Sequence, residues 1–289
     1  MKLTVKKQSS LFEFLSEYYR DSSRSKVKKL LQGGKIRIND TTVTLHSYSL
    51  KVGDVVEILT RTGPSVAPSL PFPVLYEDND LIVIDKPPGY STSSVDGSRS
   101  IFALVTSSLR QATKGKVSAY IVHRLDKEVS GVLLFTKSAG AMDILKDNWA
   151  LTEKHYYALV EGVPEKTEDT VKSWLSEDNK QKVRSVKRSE KAKLAITHYK
   201  ILQALEDRAL LEITTETGRK NQIRVHLSEM GHPIIGDRKY GASSQYLRRI
   251  RLHAYSLSFV HPGSGKRITV KSEMPAGFLT LKPGDEHYK

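Results

Sequence analysis

An α+β fold is predicted: a mixed, largely antiparallel sheet with flanking helices, preceded by a small α+β module. Three observations carry that prediction. Runs of β-branched and apolar residues recur from residue 81 onward. Helical segments interrupt them without the regular alternation of a βαβ fold. A proline-rich stretch then sets the first 62 residues apart from the rest.

The first module begins with SSLFEFLSEYYR, where Leu11, Phe12, Leu15 and Tyr19 recur at helical spacing. SSRSKVKKLLQGG follows, with a serine suited to an N-cap, a basic face and a Gly-Gly stop. In KIRIND, Ile36 and Ile38 alternate with charge, and an Asn39-Asp40 turn leads to TTVTL; VGDVVEIL reads as a closing strand. Arg24, Lys26, Lys28, Lys29, Lys35 and Arg37 cluster in this module, as an RNA-contacting patch or as a solvated helix face. RTGPSVAPSLPFP holds four prolines and reads as a semi-extended linker. The expected domains are therefore 1–62, a linker over 63–73, and 74–289.

Beyond the linker, LIVID (81–85), SAYIV (118–122), GVLLFTK (131–137), YYALVEG (156–162), LAITHYKIL (194–202) and ALLEITTETG (209–218) read as strands. SIFALVTSSLR, AGAMDILKDNW and NQIRVHLSEMG read as helices, the last closed by Gly231. HPGSGKRITV is a hairpin turn between two strands. Its GSGK is no phosphate loop, because Val260 stands where the first glycine belongs and Arg267 follows the lysine.

Composition narrows the function. The chain has 289 residues, enough for a well-buried core, with 46 Lys+Arg against 32 Asp+Glu and a net charge of +14. That balance favours a polyanionic partner bound through phosphates, and nucleic acid before a membrane surface. There are no cysteines, which excludes disulfides, thiolate metal sites and thiol nucleophiles. MKLTVKKQSS lacks the apolar core of a signal peptide and no apolar run reaches spanning length, so a cytoplasmic protein is expected. His226 and His232 lie six apart across a helix end without a convergent partner, and no metal site is expected.

Four stretches could carry chemistry. DLIVIDKPPGYSTS runs a strand into a rigid Lys-Pro-Pro-Gly turn, with Lys86 as a phosphate-contact candidate at a cleft mouth. HRLDKEVSG sets Asp126 between Arg124 and Lys127. Such a carboxylate is either a surface partner worth about 0–1 kcal/mol or a nucleophile, which needs burial and an oriented cation. A neighbouring guanidinium would lower its pKa and hold it ionised. In EKHYYALVEG, alternation puts Tyr156 on one face with Ala158 and Val160, and Tyr157 on the other. Tyr156 is thus a nucleobase stacker or a core aromatic. TTETGRKNQIRVHL brings Arg219 and Lys220 to the start of a helix carrying Arg224.

In this order, and over nearly the whole chain, these stretches resemble the RluA-type family of pseudouridine synthases. HRLDKEVSG is similar to the motif whose aspartate is the catalytic nucleophile, KHYYALVEG to the segment with the active-site tyrosine, and TGRKNQIRVHL to a third motif. SRSKVKKLLQGGKIRIND resembles a small RNA-binding domain of a ribosomal small-subunit protein. The resemblance implies isomerisation of a uridine within structured RNA, ribosomal before transfer RNA, by a monomer that needs no cofactor, nucleotide or metal. By position it implies Asp126 acting at the anomeric region or the base, and Arg224 paired with it. It also implies Tyr156 stacking the uracil, with its hydroxyl as base for the carbon-five proton. Arg124, Lys86, His123, Arg219 and Lys220 are the substrate-binding candidates. One departure stands out: Lys220-Asn221 replaces the Thr-His of many members. The competing reading is an RNA-binding or ribosome-assembly factor that keeps the fold without the chemistry.

Overall fold

A computed structural model describes residues 2–19, 27, 31, 36–39, 41–43, 48–58, 70–94, 100–179, 181–243 and 249–280. The chain forms two compact units, residues 1–66 and 67–289.

In the first unit, β1 (Lys2–Thr4), β2 (Ser9–Ser10), α1 (Leu11–Tyr18), β3 (Ile36–Ile38), β4 (Thr41–Thr42), β5 (Ser49–Leu50) and β6 (Val55–Ile58) follow in order. α1 starts where Ser10 and Glu13 cap each other: Glu13 N–H donates to Ser10 Oγ at 3.2 Å and Ser10 N–H to Glu13 Oε2 at 3.0 Å. The helix buries Leu11 and Leu15 against Val27, Leu31, Ile36, Ile38, Leu50, Val56 and Ile58. Because β3 alternates, its two isoleucines enter this core while Arg37 faces solvent. The other five basic residues singled out here, Arg24, Lys26, Lys28, Lys29 and Lys35, lie outside the described residues.

The second unit contains β7 (Val74–Glu77), β8 (Leu81–Lys86), α2 (Ile101–Ala112), β9 (Tyr120–Ile121), β10 (Ser130–Thr136), α3 (Ala139–Asp147), β11 (Glu153–Glu161), β12 (Glu168–Glu177), β13 (Val183–Val186), β14 (Lys193–Ala204), β15 (Arg208–Thr215), α4 (Gln222–Glu229), β16 (Leu252–Val260) and β17 (Arg267–Lys271). Its strands form one sheet in the order β13-β12-β14-β15-β11-β16-β10-β8-β7, with β17 added to β16 and β9 to β10. Among the described pairings only β10–β16 is parallel, so the α+β, largely antiparallel expectation holds. Ser100 and Ser138 cap α2 and α3 by accepting from Ala103 and Ala141 N–H. α2 then lays Ile101, Val105 and Leu109 on the main core with Ile84, Leu133, Phe135, Ala158 and Ile213.

Two strand expectations are corrected. The SAYIV run forms only the two-residue β9, and the ALLEITTETG strand stops at Thr215 rather than Gly218. The β12–β13 hairpin was not anticipated, because EDTVKSWLSE carries few apolar residues. It pairs with β14 along one edge, and four of the ten positions of β12 are exposed. The HPGSGK segment is the expected turn, joining the antiparallel β16 and β17.

Candidate active site

HRLDKEVSG forms the connection from β9 to the start of β10, and each end of it is fastened. Leu125 and Val129 are buried in the main core on either side of Asp126. Thr92 Oγ1 donates to Leu125 O at 2.8 Å and accepts from Leu125 N–H at 3.1 Å. Gly89 N–H donates to Lys127 O at 2.8 Å. Gly131 closes the motif for a steric reason: its φ is +115°, and a Cβ there would meet Ala254 O at 2.1 Å.

Lys86 corrects an expectation. It is fully buried, and its Nζ donates to Pro87 O, Lys127 O and Val129 O at 3.0, 3.2 and 2.7 Å. Two of its three donated bonds go to the turn that carries Asp126 and the third to its own Lys-Pro turn, so it is not a phosphate contact. Burial pushes the ammonium down to about 7, against the pull of Glu128 and Asp126.

Asp126 lines a cleft of about 1050 Å³ together with Arg124, Tyr156, Arg219, Lys220 and Arg224. The side chain of Asp126 is 28% exposed, and its Oδ2 accepts from an Arg224 terminal nitrogen at 3.3 Å. Burial raises its carboxyl above the ordinary range, and Glu128 and Asp237 add to this; Arg224 opposes them without prevailing. The guanidinium lowers it as expected, but burial, with Glu128 and Asp237 behind it, outweighs that pull and the net direction is upward.

Arg224 has a better partner. Its Nε and second terminal nitrogen donate to Asp237 Oδ2 and Oδ1 at 2.6 and 2.8 Å, a bidentate pair with a fully buried aspartate. The nitrogen that meets Asp126 also donates to Asn221 Oδ1 at 3.1 Å. The guanidinium lies 5.1 Å from the centroid of the Tyr240 ring, whose hydroxyl accepts from Asn221 Nδ2 at 2.9 Å. Burial works against the charge of Arg224, but Asp237 and then Asp126 outweigh it and raise its pKa. Asn221 is the residue that departs from the family pattern. It adopts left-handed backbone (φ 54°) at the start of α4, which asparagine tolerates, and braces both Arg224 and Tyr240.

Tyr156 faces the cleft two residues beyond Lys154 on β11. Burial, then the charge of Asp126, pushes its phenol up to about 12. It therefore keeps its proton near neutrality, and a resting tyrosinate base is ruled out. His123 is half-buried; its Nε2 accepts from Leu134 N–H at 3.0 Å, and burial, then the charge of Lys154, lowers its pKa to about 3, so it is neutral. Arg124 is exposed and makes no hydrogen bond or ion pair among the described residues. Arg219 is exposed with its Nε on Leu194 O at 3.0 Å, and Lys220 pairs with Glu177. Among the described residues no cluster of three or more His, Asp or Glu side chains is set to hold a metal ion.

Asp237 and Tyr240 were missed from sequence. The signal was present in GDRKYG, a short acidic–aromatic segment directly after the arginine helix, but nothing local shows that it folds back under Arg224.

A carboxylate, a tyrosine and a fixed arginine converge in an open cleft on a largely antiparallel sheet, the kind of convergence found in enzymes. The comparisons give the family. Residues 80–229 match the model described as RNA pseudouridylate synthase, and residues 11–56 match the S4 domain. An uncharacterized RNA pseudouridine synthase of Synechocystis is 34% identical, covering 94% of this chain and 87% of that protein. The ribosomal large subunit pseudouridine synthase C of Buchnera aphidicola (strain APS) is 29% identical over 92% of this chain and 90% of that one. Among solved structures, human RNA pseudouridylate synthase domain containing 4 superposes with a TM-score of 0.63 at 25% identity, covering 74% of this chain and 93% of that chain. The chain belongs to the RNA pseudouridylate synthase family, RluA-type, with an N-terminal S4 domain that binds RNA. It is an isomerase acting on RNA. No described helix is long and apolar enough to cross a membrane.

Proposed function

We propose that the chain isomerises uridine in ribosomal RNA, with Asp126 as the reacting carboxylate, and that the RNA-binding and catalytic domains meet in the 63–73 linker. The observation that carries the reading is the asymmetric dock on Arg224: Asp237 holds the guanidinium from one side, and Asp126 touches it from the cleft side at 3.3 Å. A carboxylate so placed is oriented yet only weakly neutralised, and stays nucleophilic.

Tyr156 offers its ring to the extruded uracil. Its phenol can take the carbon-five proton only while passing its own proton on, and Asp126, whose charge acts on it, is the acceptor the site offers. Arg124, without a hydrogen bond or ion pair among the described residues, contacts the RNA around the vacated base position. Arg219 and Lys220 flank the phosphate path, and Lys220 exchanges Glu177 for RNA. His123 contributes as a neutral donor. Net charge of +14 and the S4 match favour a large structured RNA, and the Buchnera relative is named for the ribosomal large subunit.

The test is tritium release from RNA labelled at carbon five of uridine, with ribosomal and transfer RNA compared and Asp126→Asn run beside the wild type. Release from ribosomal RNA alone, lost in the variant, is expected. Release from transfer RNA alone would overturn the substrate, and equal release by Asp126→Asn would overturn the role of the carboxylate. Binding without any release would favour the assembly-factor reading.

A further inference from the structure

Lys154 is the anomaly of the cleft. It is 8% exposed, yet among the described residues it makes no hydrogen bond and no ion pair. Its Nζ lies 5.8 Å from the Trp149 ring centroid, a cation–π contact, and that is its one cationic accommodation. The side chain is largely buried while its Nζ keeps an opening to the cleft; an ammonium so enclosed without a counter-charge is unfavourable, and burial lowers its pKa. The fold tolerates a cation here without neutralising it.

The position of Lys154 says what is missing. It lines the same cleft as Asp126 and Tyr156, and alternation along β11 puts it on the Tyr156 face, about 7 Å along the strand. The charges acting most strongly on Asp126 are those of Arg224, Glu128 and Asp237, whereas Lys154 acts on His123 and shows no pull from Asp126. Lys154 therefore sits beside the reacting centre and not in it. His123 and Trp149 pack at 5.2 Å between ring centroids and wall the position. Because Nε2 of the neutral His123 accepts from Leu134 N–H, Nδ1 carries the proton, and a second donor lies beside the ammonium.

We propose that Lys154, walled by Trp149 and His123, seats a phosphodiester of the RNA chain flanking the uridine that is isomerised. A full negative charge is the ligand that compensates a buried ammonium; a uracil carbonyl would leave it largely uncompensated. The inference rests on the reading that the cleft takes RNA with the target uridine at Asp126.

The test is the salt dependence of binding to ribosomal RNA, measured by filter retention over a potassium chloride series for wild type, Lys154→Gln and Lys154→Arg. Losing one phosphate contact reduces the slope of log affinity against log salt by about one. That reduction is expected for Lys154→Gln, with the slope retained in Lys154→Arg. An unchanged slope in Lys154→Gln overturns the proposal, even if affinity falls, because a base contact or a space-filling role leaves counterion release untouched. Lys154→Met repeats the test if Lys154→Gln does not fold; failure of both to fold makes the ammonium structural and also overturns it. Wild-type tritium release from the same RNA is scored separately: its absence speaks against the uridine reading, while the slope speaks to Lys154.

Discussion

Two aspartates share Arg224, and the protein treats them oppositely. Asp237 is fully buried and takes two short hydrogen bonds, at 2.6 and 2.8 Å. Asp126 takes one at 3.3 Å and keeps 28% of its side chain exposed. One pair is a structural dock; the other is a light contact that leaves a carboxylate raised in pKa and open to substrate. The lesson is that the arginine need not be neutralised by the residue it serves. Asp237 does that, and Asp126 is left with orientation.

Breaking the light side should cost the most chemistry and the least stability. Asp126→Asn is expected to lower turnover by about 10⁴-fold or more, with RNA affinity and melting temperature near wild type, as read by tritium release and thermal unfolding. Removing the shared cation should cost the most stability. Arg224→Ala leaves a fully buried carboxylate unpaired, and a loss of about 3–5 kcal/mol of stability is expected in denaturant titration.

Asp237→Asn sharpens the comparison. The variant keeps the shape of the dock but releases the charge of Arg224 toward Asp126, and turnover should fall about 10²-fold. The sign of its pH effect follows from the geometry. In the proposed mechanism activity needs ionised Asp126, so it should be lost as pH falls through the raised pKa of that carboxyl. With one negative neighbour gone and more of Arg224 available, that pKa falls, and the acidic limb of kcat should move to lower pH. A limb that stays in place would mean that Asp237 acts only as packing.

Lys86→Met tests whether the turn beneath Asp126 must be held. Three carbonyls lose their donor, and about 1–3 kcal/mol of stability is expected to go with them. The native lysine also leaves a pH signature. Its folded value of about 7 lies below the ordinary 10.5, so between those values the unfolded chain binds more protons and this contribution to stability rises with pH. Lys86→Met should flatten that rise.

Much of this was legible in the chain. Asp126, Arg224 and Tyr156 stand out through the resemblance of their stretches to the family's motifs; alternation in KHYYALVEG separated the two tyrosines onto opposite faces without telling which face is the cleft. Ile36 and Ile38 alternating around Arg37 made a strand of the first module readable, and the resemblance of SRSKVKKLLQGGKIRIND to a ribosomal-protein RNA-binding domain supplied its kind. What stayed hidden is non-local. Lys86 reads as a cleft-mouth cation until its three carbonyl partners, two of them in the turn around Lys127, are seen. Asp237 belongs to a loop whose partner lies on the preceding helix, and no periodicity reports that the two close on each other. The β12–β13 hairpin was missed because an edge pair with one wet face needs few apolar residues. Lys154 was passed over beside two tyrosines, since an unpartnered lysine differs from a solvated one only in burial.

The strand order carries one more consequence. β16, residues 252–260, lies between β11 and β10, although both are completed about a hundred positions earlier in the chain. Asp126 hangs from one side of that gap, and Tyr156 and Arg224 from the other. A ribosome that has extruded only the first 250 residues has thus made every catalytic side chain and no machine. The placement of Asp126 opposite Tyr156 and Arg224 therefore depends on a strand that follows all three in the sequence.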